Sequence, residues 1–272
     1  MYEQYYGLRE KPFGLLPDPS FMFWSREHTM AYAMLEYGVL NHAGFTVITG
    51  GIGCGKTTLI RYLLSQLEEQ VTVGLLSNTQ IHEGDLLRWV MLAFGQRHDQ
   101  PSDMGVFSDF QKFLISQFAL RRRTILIIDE AQNLSATLLE ELRMLSNINA
   151  DRDQLLQIIL VGQPELRNVL EGPSLVQFVQ RISSDYHLEA LQPQDVYKYI
   201  SNRVLQAGGA PDLFSRQASK LVADDSKGVP RKINILCDTA LIYAYSDGAP
   251  YVSSSIMAMV IRDKQKFRLK TA

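Results

Sequence analysis

The chain reads as an α/β protein: a parallel five-stranded sheet flanked by helices, followed by a small all-helical lid. Three observations predict it. Five short apolar, β-branched runs alternate with helical patterns, the arrangement that builds a parallel sheet covered on both faces. A glycine-rich loop sits at the first strand-to-helix junction. After Leu191 the strand signals stop and only helical periodicity continues.

Along the chain, residues 1–25 carry Pro12, Pro17 and Pro19 among many aromatics, with neither helical nor strand periodicity. This is an extended arm that packs against something, either as a cap over one edge of the core or in binding. Ser25 can N-cap a helix whose apolar face is Met30, Ala33, Met34, Tyr37 and Leu40. Strands are expected at Phe45–Thr49, Val71–Leu76, Ile125–Ile128, Gln157–Val161 and Asp185–Leu188. Helices are expected at Thr57–Glu68, Asp85–Phe94, Phe107–Leu120 and Ser135–Ser146. Pro193 opens a further helix through Gln206, stopped by Gly208-Gly209, and helical segments follow near Ser215–Ala223, Pro230–Tyr245 and Ser253–Phe267. The division expected is residues 1–190 as a nucleotide-binding core with the aromatic arm, and 191–272 as the lid.

The chain has 272 residues, 46% hydrophobic and 21% charged, which excludes disordered and fibrous classes. Its 27 basic and 29 acidic residues leave a formal charge of -2, too little for coating nucleic acid by bulk charge. Two cysteines, Cys54 and Cys237, make no disulfide framework and fit a reducing compartment. The amino terminus lacks a signal-peptide pattern. The charge-free stretch from Tyr37 to Gly55 is interrupted by Asn41, His42 and glycines, so no membrane span is expected. The expected location is the cytoplasm, with the inner-membrane face as a place of peripheral action. His28, His42, His82, His98 and His187 show no metal-ligand spacing.

The strongest motif is GGIGCGKTT, residues 50–58. Gly50, Gly55, Lys56 and Thr57 satisfy G-x-x-x-x-G-K-[ST] between a strand and a helix. Gly50, Gly51, Ile52, Gly53, Cys54, Gly55, Lys56, Thr57 and Thr58 are therefore the expected ATP cradle. Its N–H groups and the helix N-terminus attract phosphate, Lys56 reaches the β and γ phosphates, and Thr57 ligates Mg²⁺. Cys54 within the loop is open to two readings, a packed loop residue or a redox-sensitive thiol. A second motif, ILIIDEAQNL at 125–134, delivers two carboxylates at a strand's carboxyl end, where open sheets bind ligands. Asp129 is the expected Mg²⁺ partner and Glu130 the expected base for the attacking water. The preceding Arg121-Arg122-Arg123 run is either a solvated helix end or a DNA or partner contact. The basic tail from Arg262 to Lys270 reads as a solvated helix end.

With these blocks the sequence resembles the AAA+ ATPases of the general-secretion-protein-A (ExeA-like) group, nearest to the secretion ATPase found with exosortase and PEP-CTERM exopolysaccharide loci. The resemblance runs through YYGLREKPFGLLPDPSFMF, the P-loop block, ILIIDEAQNLSATLLEELRMLSNINAD, LLQIILVGQPEL, FVQRI and GVPRKINILCDTALIYAY. It implies a P-loop AAA+ module in which Gln163 is the polar sensor, Arg181 an arginine finger acting in trans, and Arg231 the lid's sensor arginine. It further implies that Asn78 restrains Glu130; Phe13 is an expected adenine contact. The implied partners are further copies of the chain in a ring or filament, and proteins of a secretion or exopolysaccharide export system. Longer members of the group continue into a membrane span and a peptidoglycan-binding region; this chain stops after the lid, so peptidoglycan contact is not implied. Two alternatives stay open: an ATP-dependent DNA-loading regulator resembling transposition target-selection ATPases, and a nucleotide-dependent switch with negligible turnover.

Overall fold

A computed structural model describes residues 1–67, 70–77, 81–96, 102–150 and 153–269. Two compact units divide the chain. One comprises Met1–His28, Gly53–Arg61 and Glu189–Ala272; the other comprises Thr29–Ile52 and Tyr62–Leu188. Among the described residues, no helix is long and apolar enough to cross a membrane.

The second unit is the α/β part. Its strands are β1 (Phe45–Gly50), β2 (Val71–Leu76), β3 (Arg123–Ile128), the two-residue pair β4 (Asn149–Ala150) and β5 (Asp153–Gln154), β6 (Gln157–Gly162) and β7 (Ile182–Leu188). The main sheet runs β2-β3-β6-β1-β7, parallel throughout. Ile125, Leu126, Ile127 and Ile128 are each 0% exposed. Burying each such side chain contributes about 1.5–3 kcal/mol, which is why β3 is a continuous apolar run without alternation. β4 and β5 form a small antiparallel pair, which has no counterpart among the expected strands.

The helices are α1 (Tyr2–Tyr5), α2 (Arg26–Leu40), α3 (Lys56–Gln66), α4 (Leu86–Ala93), α5 (Asp103–Ala119), α6 (Ala136–Leu145), the short α7 (Glu165–Leu170) and α8 (Val176–Val179), then α9 (Pro193–Gln206), α10 (Arg216–Ser226), α11 (Pro230–Ser246) and α12 (Ser254–Leu269). The face of α2 differs from expectation. Met30, Tyr37 and Leu40 are 46%, 55% and 60% exposed, whereas Ala31, Leu35 and Val39 are buried. The cause is Gly38: a Cβ there would stand 2.2 Å from Thr46 Oγ1. Close approach of α2 to β1 thus selects the face with the smallest residue, over a competing face with more apolar bulk.

The first unit gathers α9 to α12 with the amino-terminal arm. The arm was expected with residues 1–190, yet Tyr2, Leu8, Phe13 and Phe21 share one buried cluster with α9, α11 and α12 side chains. Asn234 Nδ2 donates to the Gly14 carbonyl at 3.1 Å, and Arg203 donates to the Pro12 carbonyl. Arg203 also lies over the Phe21 ring at 4.7 Å, a cation–π contact. A segment without periodicity is ordered here because distant polar side chains satisfy its carbonyls. Both cysteines are buried thiols outside any disulfide, and burial pushes the Cys237 thiol well up.

Candidate nucleotide site

In the α/β unit, three carboxyl ends stand side by side. β6 lies between β3 and β1, so the residues after β3, β6 and β1 are neighbours at strand spacings of about 4.8 Å. β3 continues into Asp129, whose N–H donates to the Leu76 carbonyl at 2.9 Å. Asp129 Oδ1 accepts the Glu130 N–H at 3.0 Å, ending the strand in a local side-chain turn. Glu130 is held in the left-handed region at φ 58°, ψ 37°, a conformation that costs a non-glycine residue about 1–3 kcal/mol.

The Glu130 carboxylate is then fixed from two sides. Its Oε2 accepts from Gln132 Nε2 at 2.7 Å and from Gln163 Nε2 at 3.1 Å. Gln132 Oε1 in turn accepts the Gln163 N–H at 2.9 Å. Gly162 makes room for this triad, since a Cβ there would meet Gln132 Oε1 at 3.1 Å. Gln163 therefore meets Glu130 at the end of β6, the strand that borders both β3 and β1. Gln132 was missed; the cue lay in its two-residue spacing from Glu130 across a turn. Gly50, at the end of β1, admits no side chain because a Cβ would meet the Leu188 carbonyl at 2.5 Å.

The first unit holds the rest of the phosphate-binding loop. Gly53 and Gly55 adopt φ 80° and 103°, which only glycine takes without strain. A Cβ on Gly53 would lie 2.6 Å from Arg231 Cβ, and the Arg231 N–H donates to the Gly53 carbonyl at 3.1 Å. Arg231 thus sits beside the loop, with its side chain exposed. His28 is a second residue that sequence reading missed. Its Nε2 is 3.0 Å from the Cys54 carbonyl, and its Nδ1 is 2.9 Å from Ser25 Oγ. Ser25 Oγ accepts the His28 N–H at 3.2 Å, which is the expected helix cap, with a histidine three positions on as the cue. A carbonyl can only accept, so the neutral imidazole donates from Nε2 to Cys54 and accepts the Ser25 hydroxyl proton at Nδ1.

Burial lowers the His28 pKa below the usual histidine value, opposed by the Cys54 carbonyl and by Glu27. The unfolded chain takes up this proton near pH 6.5, while the folded chain resists it. The stability that His28 contributes is therefore complete above that pH and is lost as pH falls through the lowered folded value. Urea unfolding between pH 7 and 5 should show wild-type stability falling on acidification, with a shallower fall in His28→Gln. At pH 7.5, His28→Ala should cost about 1–3 kcal/mol for the lost buried hydrogen bond to the Cys54 carbonyl.

Phe13 corrects the adenine expectation. It is 1% exposed and packs edge-to-face on Phe214, with ring centroids 5.5 Å apart at 81°, so its ring belongs to the helical core. Asn78 lies outside the described residues. Arg181 is on the α/β unit but far from that unit's carboxyl ends. It precedes β7, where Ile182 pairs with Phe45 and Leu188 with Gly50. Six strand steps, about 20 Å, thus separate it from the level of Gly50. Its Nη1 donates to Ser146 Oγ at 3.1 Å, at the end of α6.

Each unit by itself carries groups of the chemistry that a magnesium-bound nucleoside triphosphate takes. Positive-φ glycines turn successive N–H groups into an anion-binding nest. The Thr57 hydroxyl and Asp129 carboxylate are hard oxygen donors of the kind magnesium takes.

Comparison with known proteins agrees with this chemistry. A family model described as an AAA domain matches residues 39–170. General secretion pathway protein A of Aeromonas hydrophila is 38% identical over 250 residues, which is 92% of this chain and 46% of that protein. The chain thus spans about half the length of this curated relative. Among solved structures, ORC2 of Aeropyrum pernix in ADPNP–ADP complexes is similar with a TM-score of 0.64 at 18% identity, over 87% of this chain and 67% of that one. ORC1 of Aeropyrum pernix in complex with DNA gives 0.65 at 18% identity, over 93% and 69%. The RuvB Holliday junction branch migration motor of Thermotoga maritima gives 0.59 at 17%, over 92% and 73%.

Proposed function

We propose that the chain is an AAA ATPase akin to general secretion pathway protein A, to which it is similar, and that it binds Mg-ATP and hydrolyses it as a motor or switch of a secretion or exopolysaccharide export system. The observation that carries hydrolysis is the Glu130 carboxylate, held in a left-handed turn by two glutamine amides. A residue kept in a strained conformation by dedicated donors is positioned for a task.

In this reading Lys56 and the loop N–H groups hold the phosphates, while Thr57 and Asp129 hold Mg²⁺. Bound magnesium neutralises charge on the phosphate oxygens. Glu130 takes the proton of the attacking water, and Gln163 reports on the same region through its bond to Glu130. Arg231 and a partner copy's arginine would stabilise charge on the transferring oxygens. The assembly is a homo-oligomer, ring or filament, working in the cytoplasm or at the inner-membrane face. The likeness to ORC and RuvB structures stays under 20% identity and carries the fold alone, so it adds nothing to a DNA-loading role.

The test is steady-state phosphate release across a range of protein concentrations with and without magnesium. Turnover that requires magnesium and rises with concentration is expected. Background-level release at every concentration, despite ATP binding, would leave a switch without turnover and remove the motor.

A further inference from the structure

The amino ends of the strands, opposite Asp129 and Gln163, carry a cavity of about 700 Å³ within the α/β unit. That volume is in the range of small-molecule sites. Arg121, Arg122 and Arg123 line it, against one carboxylate among the described residues, Asp153. The arginine ion pairs of the described residues lie elsewhere, at Arg88, Arg143 and Arg167. Phe118 and Leu155 supply an apolar wall.

Two residues that line the same cavity each hold a buried polar atom without a hydrogen-bond partner, Thr124 Oγ1 and Gln157 Oε1, just beneath its wall. These residues are 3% and 4% exposed. The Gln157 amide nitrogen is committed to the Gly38 and Val39 carbonyls, each at 3.3 Å, which leaves its oxygen as an unused acceptor. An orphaned buried acceptor costs about 1–3 kcal/mol, recovered when a small side-chain shift lets an occupant's N–H reach it. Strain points to the same place. His42 and Arg121 line the cavity at φ 52° and 57°, and Glu130 at φ 58° shares that conformation.

We propose that this cavity is a second ligand site, for a small phosphate-bearing molecule with a flat ring that donates hydrogen bonds, the chemistry of a purine mononucleotide. The arginines hold the phosphate, Phe118 covers the ring, and Gln157 and Thr124 read its polar edge. A neighbouring depression around Arg181 shares His42 and Gln154 with the cavity, so occupancy bears on the arginine that acts between copies.

Calorimetric titration of the full chain carrying Lys56→Ala, with AMP, GMP and inorganic phosphate as probes, tests this apart from the phosphate-binding loop. Saturable binding of AMP or GMP is expected, at least tenfold tighter than phosphate. Adding Arg121→Ala with Arg122→Ala should weaken it at least tenfold. Adding Thr124→Val, which keeps the packing and removes the hydroxyl, should weaken nucleotide at least threefold and leave phosphate unchanged. No saturable nucleotide binding, phosphate binding as tight as nucleotide, or binding indifferent to the arginine substitutions would overturn the proposal.

Discussion

Glu130→Gln should bind ATP as tightly as the wild type and hydrolyse it at least a hundredfold more slowly. General-base catalysis is worth about 10²–10⁴ in rate, and a hundredfold corresponds to about 2.7 kcal/mol of barrier. The amide keeps the volume and one acceptor oxygen, so the left-handed turn at φ 58° and the neighbouring packing should survive. What it loses is the capacity to take a proton, along with the charge that strengthens the two bonds from Gln132 and Gln163, both made to Oε2. Gln132→Ala leaves the carboxylate and removes its 2.7 Å donor. It should lower kcat about tenfold while ATP affinity stays unchanged, as expected of a positioning residue. Equilibrium titration with a fluorescent ATP analogue, alongside single-turnover hydrolysis, separates the two effects. If Glu130→Gln turned over like the wild type, the proton would be going elsewhere and the site assignment would fail.

The parts legible in sequence share a physical feature: each is decided locally. β3 announces itself because both faces are buried, so four apolar residues in a row have only one economical arrangement. The phosphate-binding loop is legible because Gly53 and Gly55 adopt conformations open to little but glycine. The α9 boundaries follow from Pro193 at its start and the glycines past its end. The parts that resisted are decided by distant partners. The face of α2 depends on the approach of Gly38 to Thr46, which no helical period encodes. The fate of the arm depends on Arg203 and Asn234, some 190 and 220 positions away. Phe13 looked like an adenine contact because an aromatic in a proline-rich arm has no local reason to be buried; its reason is Phe214. Three positions past the Ser25 cap, His28 has a local cue for that contact but none for its tie to the loop, because the partner there is a backbone carbonyl, that of Cys54.

Arg181→Ala should lose about 10³-fold in turnover with ATP binding intact, the scale set by arginines that complete a phosphoryl-transfer site. More discriminating is what mixing should do. Arg181 sits just before β7, at the Phe45 end of β1 and about 20 Å from the level of Gly50, so its side chain does not reach the carboxyl ends of its own sheet. If it serves a nucleotide, it serves that of a head-to-tail neighbour, through the kind of contact that closes rings or propagates filaments. An Arg181→Ala subunit keeps its own loop and Glu130, and a Glu130→Gln subunit keeps its Arg181. Neither is active alone. In an equal mixture, about a quarter of head-to-tail interfaces place an intact Arg181 against an intact Glu130, so activity should return to a comparable fraction of wild type. The bond from Arg181 to Ser146 supplies the control. Ser146→Ala removes that partner without touching the charge, so it should preserve most of the activity if Arg181 works on a neighbour. Should the mixture stay as silent as its components while both variants assemble and bind ATP, Arg181 would be a bracket for the end of α6, and the finger would have to be sought on another arginine.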